Sequence, residues 1–234
     1  MFKLCVFAAT IALATASYAG YSFTVIPPNQ WGAPDATLGV TGYVIEDFED
    51  VNLVSGLAVE VQSLNGNMGP TSTLPNTFMP SQDIFGTAFA FGGGGVWDGE
   101  RGLINTRTNQ TFSYGDTNSW GDTVFHFANP ASSVGVSLQQ IELNGQVWID
   151  GNVVTTFAAL GFTFNGTRQG YLRIDAFGGD SISTLEFDNG SSGGGFGMGD
   201  GIMFDHLAFN PVPEPATMIV LGGLAAAALR GRKR

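Results

Sequence analysis

The sequence predicts an all-β protein, an antiparallel β-sandwich, and three observations carry that reading. Short runs alternate apolar and polar or small residues with period two, as in Phe85-Gly86-Thr87-Ala88-Phe89-Ala90-Phe91, Thr123-Val124-Phe125-His126-Phe127 and Val134-Gly135-Val136-Ser137-Leu138. Each buries one face. Between such runs stand Asn144-Gly145, Asp150-Gly151 and Asn165-Gly166, dipeptides that accept positive φ and favour tight hairpins, which predicts a meander through the centre of the body. No long helical pattern and no internal linker interrupts residues 20–211, which are enough for one domain with a substantial core.

The elements follow in chain order. Met1 to Lys3 brings one positive charge, residues 4–13 form an apolar stretch, and Ser17-Tyr18-Ala19 supplies the small residues that a signal peptidase reads. Residues 1–19 therefore read as a cleavable signal helix, cut after Ala19. The alternative is a retained helix, against which residues 15–20 are small, polar and helix-breaking. Cys5 lies inside this leader and lacks a lipoprotein context, so the exported chain has no cysteine, no disulfide and no thiol chemistry. Within the body the glycine-rich stretches 92–95 and 190–201 are too polar and flexible for strands and read as loops at the sandwich ends. They match neither G-x-G-x-x-G nor the Walker pattern, and neither opens a helix.

Processing would change the charge. The full chain is formally −11, yet five of its nine basic residues are Lys3, Arg230, Arg232, Lys233 and Arg234. The body keeps four arginines, Arg101, Arg107, Arg168 and Arg173, against 19 acidic residues, a net −15 with no lysine. Such a charge repels nucleic acid and anionic lipid, and it favours solubility and divalent cations at an acidic surface.

The C-terminal segment, residues 212–234, has three parts. Val212-Pro213-Glu214-Pro215 is stiff because both prolines fix φ and hold Glu214 extended. Residues 216–229 are apolar, but 14 residues give only about 21 Å of helix against a hydrocarbon core of about 30 Å. This short transmembrane helix is a poor permanent anchor. Arg230, Arg232, Lys233 and Arg234 would keep the C-terminus cytoplasmic and the body outside. The alternative is a buried C-terminal helix with a basic end. The order of Pro-Glu-Pro, apolar helix and basic cluster resembles the sorting signal of PEP-CTERM proteins of Gram-negative bacteria. That resemblance implies recognition by a membrane transpeptidase-like enzyme, the exosortase, with cleavage at or near residues 213–215, and delivery to the cell surface or extracellular matrix in association with exopolysaccharide or biofilm.

Three pieces of the body, Asp47-Phe48-Glu49-Asp50, the strand-turn-strand at 144–152 and the closing run 201–209, are together similar to jelly-roll carbohydrate-binding modules and lectin-like sandwiches. In those folds an acidic residue after Phe in the first strand and an Asp in the last often share a structural calcium ion; Glu49 and Asp205 match, with Asp47 or Asp50 as substitutes. Strict alternation over 202–209 puts Met203, Asp205, Leu207 and Phe209 on one face and Ile202, Phe204, His206 and Ala208 on the other, so a titratable side chain lies among apolar ones either way. A buried carboxylate needs a cation or several hydrogen bonds, and arginines are few. Calcium would serve. So would loop N–H groups or solvent. Asp116-Thr117-Asn118-Ser119-Trp120-Gly121-Asp122 has part of a calcium-loop spacing but lacks the twelfth-position Glu, and reads as a polar turn.

Catalytic machinery is not evident. Two histidines, no mature cysteine and no G-x-S-x-G elbow disfavour nucleophilic hydrolysis, and His126 alternates with core aromatics. A carboxylate pair for glycan hydrolysis stays open, because 19 acids single out none. Trp97 and Trp120 follow glycine-rich or polar stretches, where an indole face can stack on sugar or cap the core. Trp148, between Val147 and Ile149, reads as structural. The sequence thus points to an exported, non-catalytic, glycan-binding or structural surface protein, handled by signal peptidase and exosortase.

Overall fold

A computed structural model describes residues 14–18, 20–27, 30, 32–63, 68–79, 96–104, 121–139, 141, 143–162, 169–188 and 202–212, the first five by backbone only. In chain order the strands are β1 (Ala14–Tyr18), β2 (Tyr21–Ile26), β3 (Val44–Glu46), β4 (Leu57–Ser63), β5 (Met68–Thr71), β6 (Leu103–Ile104), β7 (Gly121–Gln139), β8 (Gln146–Ile149), β9 (Asn152–Thr156), β10 (Gln169–Ala176), β11 (Ile182–Asp188) and β12 (Met203–Pro211). A one-turn helix, α1 (Asp35–Leu38), and a 3₁₀ turn at Asn76–Phe78 complete the described elements. All pairings between these strands are antiparallel, as expected for the predicted class.

Strand β7 organises the fold. Its first half lies between β4 and β11, and its second half between β10 and β12. One long strand thus belongs to both layers of a curled sheet. The runs 123–127 and 134–138, read from sequence as separate alternations, are its two halves. Phe125, Phe127 and Ala131 face the core in the first, Val134, Val136 and Leu138 in the second, so the inward set changes from odd to even numbers. Register shifts in the partners, between Ile182 and Thr184 and between Asn210 and Pro211, accompany that change. An irregularity of this kind exchanges the faces of a strand and bends it, which lets β7 turn from one layer into the other.

The layers, β5-β4-β7-β11-β8-β9 and β1-β2-β10-β7-β12-β3, enclose an aromatic core. Phe125 meets Phe204 edge-on at 5.2 Å, Phe127 lies 5.1 Å from Phe209, and Phe187 bridges to Phe204 at 5.4 Å. Each fully buried Phe contributes about 1.5–3 kcal/mol by leaving water, and such ring pairs add to it. This sandwich needs no disulfide.

Asp150-Gly151 forms the expected hairpin between β8 and β9, with φ of 49° and 74°. The expected central meander is corrected. Strand β11 inserts between β7 and β8, and Asp150 Oδ1 accepts the N–H groups of Ser183 and Thr184 at 2.9 and 2.7 Å, tying the hairpin to it. Turn dipeptides report local connection and not which distant strand fills the gap. At the N-terminus, Ala14–Tyr18 is a strand paired with β2, which corrects the end of the signal helix expected over residues 1–19; its small and polar residues from 15 onward favour the extended form. Residues 4–13, Phe85-Gly86-Thr87-Ala88-Phe89-Ala90-Phe91, Asn165-Gly166, the glycine-rich stretches 92–95 and 190–201 and the apolar run 216–229 lie outside the described residues. Among the described residues no helix is long and apolar enough to cross a membrane.

Candidate functional site

The site begins at an irregularity in β12. His206 has φ 47°, and the register against β7 shifts between Asp205 and Ala208. The strict alternation expected over 202–209 therefore fails. Phe204, Leu207 and Phe209 enter the aromatic core, while Ala208 joins a second cluster with Tyr171 and Trp97 on the other side of the sheet. The extra residue of the bulge leaves Asp205 and His206 together, both buried and both bonded to segments that cover this outer face.

These two side chains hold the segment 96–104. Asp205 Oδ2 accepts the N–H groups of Trp97 and Asp98, and Oδ1 accepts that of His206 at 2.8 Å. Three residues on, Glu49 Oε1 accepts the N–H groups of Glu100 and Arg101 at 2.6 and 2.9 Å. Between the two clamps Gly99 has φ 64°, and a Cβ there would fall 2.0 Å from Glu49 Oε1, so the close approach requires glycine. The imidazole of His206 ties in both covering segments, with Nδ1 2.6 Å from Asp98 Oδ2 and Nε2 3.1 Å from Asp35 Oδ1 on α1. Arg173 supports α1 from below through Leu38 O at 3.0 Å.

Trp97 sits inside this cover. It is 6% exposed, with its ring 5.2 Å from Tyr171 and 6.3 Å from His206. Tyr171 in turn lies against Gly135, where a Cβ would come within 2.5 Å of its hydroxyl. The sugar-stacking role expected of Trp97 is corrected to the capping alternative, because its indole face meets protein. Trp120 lies outside the described residues.

Burial dominates the electrostatics here. It pushes the Asp205 carboxyl up to about 8, reinforced by the charge of Asp98 and opposed by the three N–H donors. For His206 burial acts downward but is outweighed by Asp98 and Asp35, so its pKa is raised. A third carboxylate follows the same design: Glu46, buried at the end of β3, accepts Phe48 N–H at 2.8 Å and Val54 N–H at 2.6 Å, and burial raises its pKa.

Glu49 and Asp205 were expected to meet at calcium between the first and last strands. The structure brings both to the segment 96–104, where their oxygens take backbone N–H groups, the alternative that the sequence left open. Glu49 follows β3 in a bend with Phe48 at φ 54°, and is not on a strand. Asp47 and Asp50 accept local N–H groups of Glu49 and Asn52. Among the described residues no group of three or more His, Cys, Asp or Glu side chains is arranged to hold a metal ion. An ion shared by Glu49 and Asp205 would have to displace these N–H partners, so the donor set does not fit it.

The opposite outer face, across β4, β7, β11 and β8, is different. Asp122 stands directly opposite Asp188 on one side and Gln62 on the other, and Val124 lies between Glu60 and Glu186. Trp148 is beside Glu186, half-buried, while its neighbours Val147 and Ile149 point into the core. His126 Nε2 approaches Glu60 Oε2 at 3.0 Å, a rim histidine and not a core one. Partial burial, then Asp188 and Glu186, push the Asp122 carboxyl up to about 6, and burial with Asp188 and Glu60 raises Glu186. The described arginines, Arg101 and Arg173, belong to the covered side.

The body closes at Pro211, and Val212, 39% exposed, makes its last described bond, N–H to Pro130 O at 2.8 Å. From that point the PEP-CTERM protein-sorting motif matches residues 211–234. The chain carries a PEP-CTERM sorting signal. The match takes in the expected sorting residues Val212, Pro213, Glu214, Pro215, Arg230, Arg232, Lys233 and Arg234, of which all but Val212 lie outside the described residues. The PEP-CTERM signal marks an exported protein of Gram-negative bacteria that is processed by an exosortase-type membrane enzyme. No curated protein matches the chain. Among solved structures, the GH31 alpha-xylosidase Xac1773 of Xanthomonas citri aligns with 82% of this chain and 20% of its own, at 8% identity and a TM-score of 0.20. At that score the likeness carries no conclusion about fold or activity.

Two features were missed in the sequence. Glu46 went unnoticed, although a carboxylate directly after Val44-Ile45 was a signal that it would be buried and need donors. The acidic face went unnoticed because Asp122, Glu186 and Glu60 meet only through pairings of distant strands.

Proposed function

We propose that this PEP-CTERM protein is a non-catalytic component of the cell surface or extracellular matrix, associated with exopolysaccharide. Signal peptidase would cut after Ala19 and the exosortase-type enzyme near residues 213–215. The body, residues 20–211, would then be delivered without its apolar ends. The observation that carries this reading is the sorting signal itself, placed directly after a β-body whose last strand ends at Pro211. Val212, the last described residue before Pro213, is exposed at the end of the body. Glycan contact is assigned to Trp120, since Trp97 is enclosed. Intact-mass measurement of protein released by the native host, paired with polysaccharide pull-down of wild type and Trp120→Ala, tests both halves. A mature form still ending in Arg234 would contradict the processing, and undiminished pull-down by the variant would contradict the contact.

The second reading, a glycan hydrolase, has one observation in its favour. Asp122 and Glu186 share an outer face with Trp148, and their raised pKa values are of the kind that suits a general acid. Release of reducing sugar from host polysaccharide, abolished by Asp122→Asn or Glu186→Gln, would favour it.

A further inference from the structure

We propose that the mature chain pairs with a second copy of itself through the edge of β2. This rests on the reading that the leader is removed after Ala19. In the full chain, residues 14–18 lie on that edge in antiparallel register, from Ala14 opposite Val25 to Tyr18 opposite Tyr21. In the sequence a cut after Ala19 falls between β1 and β2, so it takes all of β1 away. Strand β2 then keeps β10 on one side and nothing of its own chain on the other, among the described residues.

The edge so uncovered lacks the usual protections. Exposed edges are blunted by charge, proline, brevity or a bulge, because their free N–H and C=O groups accept another strand. Strand β2, Tyr21-Ser22-Phe23-Thr24-Val25-Ile26, is six residues long with no charge and no proline, and its pairing with β10 runs without a register shift. Other strands with one partner among the described residues differ, β6 being only two residues long. Strand β5 contains Pro70, β3 has three residues, and β9 follows the Asp150-Gly151 turn with a register shift against β8.

A second β2 fits this edge. Directly opposed residues of an antiparallel pair point to the same face, so a two-fold pairing must be centred on a residue. Centred on Phe23, it sets Tyr21 against Val25 and Ser22 against Thr24; centred on Thr24, it sets Phe23 against Val25 and Ser22 against Ile26. Either way the core-facing set stays with the core-facing set, and the contact closes on itself as a dimer. The seat taken by β1 already shows that this edge receives an uncharged antiparallel strand. The charge of −15 on each body opposes the approach, so association should tighten as salt screens it.

Sedimentation of the released protein over micromolar to near-millimolar concentration, with its N-terminus read by intact mass, provides the test. A form beginning at Gly20 should dimerise, more tightly at higher salt. Ser22→Lys, which places two lysines near the two-fold, should weaken the dimer by about tenfold or more. Ser22→Thr should retain it. Val153→Lys, the same charge on β9 at a position 46% exposed, should leave association unchanged. A Gly20 form that stays monomeric throughout, or a dimer lost equally in Ser22→Lys and Val153→Lys, overturns this inference alone. A released chain that still contains residues 14–18 overturns it together with the leader reading.

Discussion

On the covered face, Glu49 and Asp205 each place oxygens on two or more backbone N–H groups of neighbouring loops, as Glu46 does on the core side of β3; on the open face, Asp122, Glu186 and Asp188 stand against one another across β7 and β11. The body has 19 acidic residues and four arginines, so neither face can be neutralised by conventional ion pairs. On one side the carboxyl oxygens organise chain, because each gives a backbone N–H the acceptor that burial would otherwise take from it. On the other Asp122 faces Asp188 directly across the sheet, and His126 lies beside Glu60. The difference separates acids that build the sandwich from acids available to something outside it.

The largest effect should come from Trp97→Ala. Emptying a buried aromatic site costs about 3–5 kcal/mol, so its melting temperature should fall steeply while polysaccharide pull-down by the folded fraction is unchanged. Loss of pull-down without loss of stability would turn Trp97 back into a ligand residue. Next is Asp205→Ala, which takes the acceptor from the N–H groups of Trp97, Asp98 and His206; the Asp98 group is part-buried and the space vacated by the carboxyl admits water, so the net loss should be about 1–3 kcal/mol. Asp205→Asn retains one acceptor oxygen and should cost less. Added calcium or chelator should leave the wild-type melting curve in place, and a calcium-dependent rise lost in Asp205→Asn would restore the shared ion.

Acidity should sharpen the contrast. Glu46, Asp122, Glu186 and Asp205 all have pKa values raised above 3.8 or 4.5, so the folded state holds protons that the unfolded chain has released. Stability from these groups is present at low pH and declines as pH rises, through about 6 for Asp122 and about 8 for Asp205. His206 acts in the same direction, because its raised pKa gives stability below 6.5 that is lost as pH passes the folded value. The melting temperature should therefore be higher at pH 5 than at pH 8.5 at constant ionic strength. The smallest effect belongs to the open face: Asp122→Asn should raise the melting temperature at pH 8 and leave it unchanged near pH 4. A fall at pH 8 would mean that Asp122 has a bonding partner and is not a repelled group.

Much of the fold was legible because period two survives in isolated runs. Phe125 and Phe127, and then Val136 and Leu138, announce their strands locally, and Asp150-Gly151 announces its hairpin. What joined the two runs into β7, and what slid β11 between β7 and β8, are pairings of distant residues with no local mark. The site was legible to the same depth. Asp205 stood out as a carboxylate in an apolar run, and Glu49 was drawn to the same segment. Their partners were not readable, because backbone N–H groups have no letter in the sequence, and the bulge at His206 depends on a positive φ that histidine does not advertise.

Hydrogen exchange at four amides, Trp97, Asp98, Glu100 and Arg101, tests the covered face most directly. In the wild type at neutral pH all four should be protected well beyond loop rates. Asp205→Ala should release Trp97 and Asp98 while Glu100 and Arg101 stay protected by Glu49. Exchange of all four at loop rates in the wild type, or unchanged protection of Trp97 and Asp98 in the variant, would contradict the carboxylate clamp.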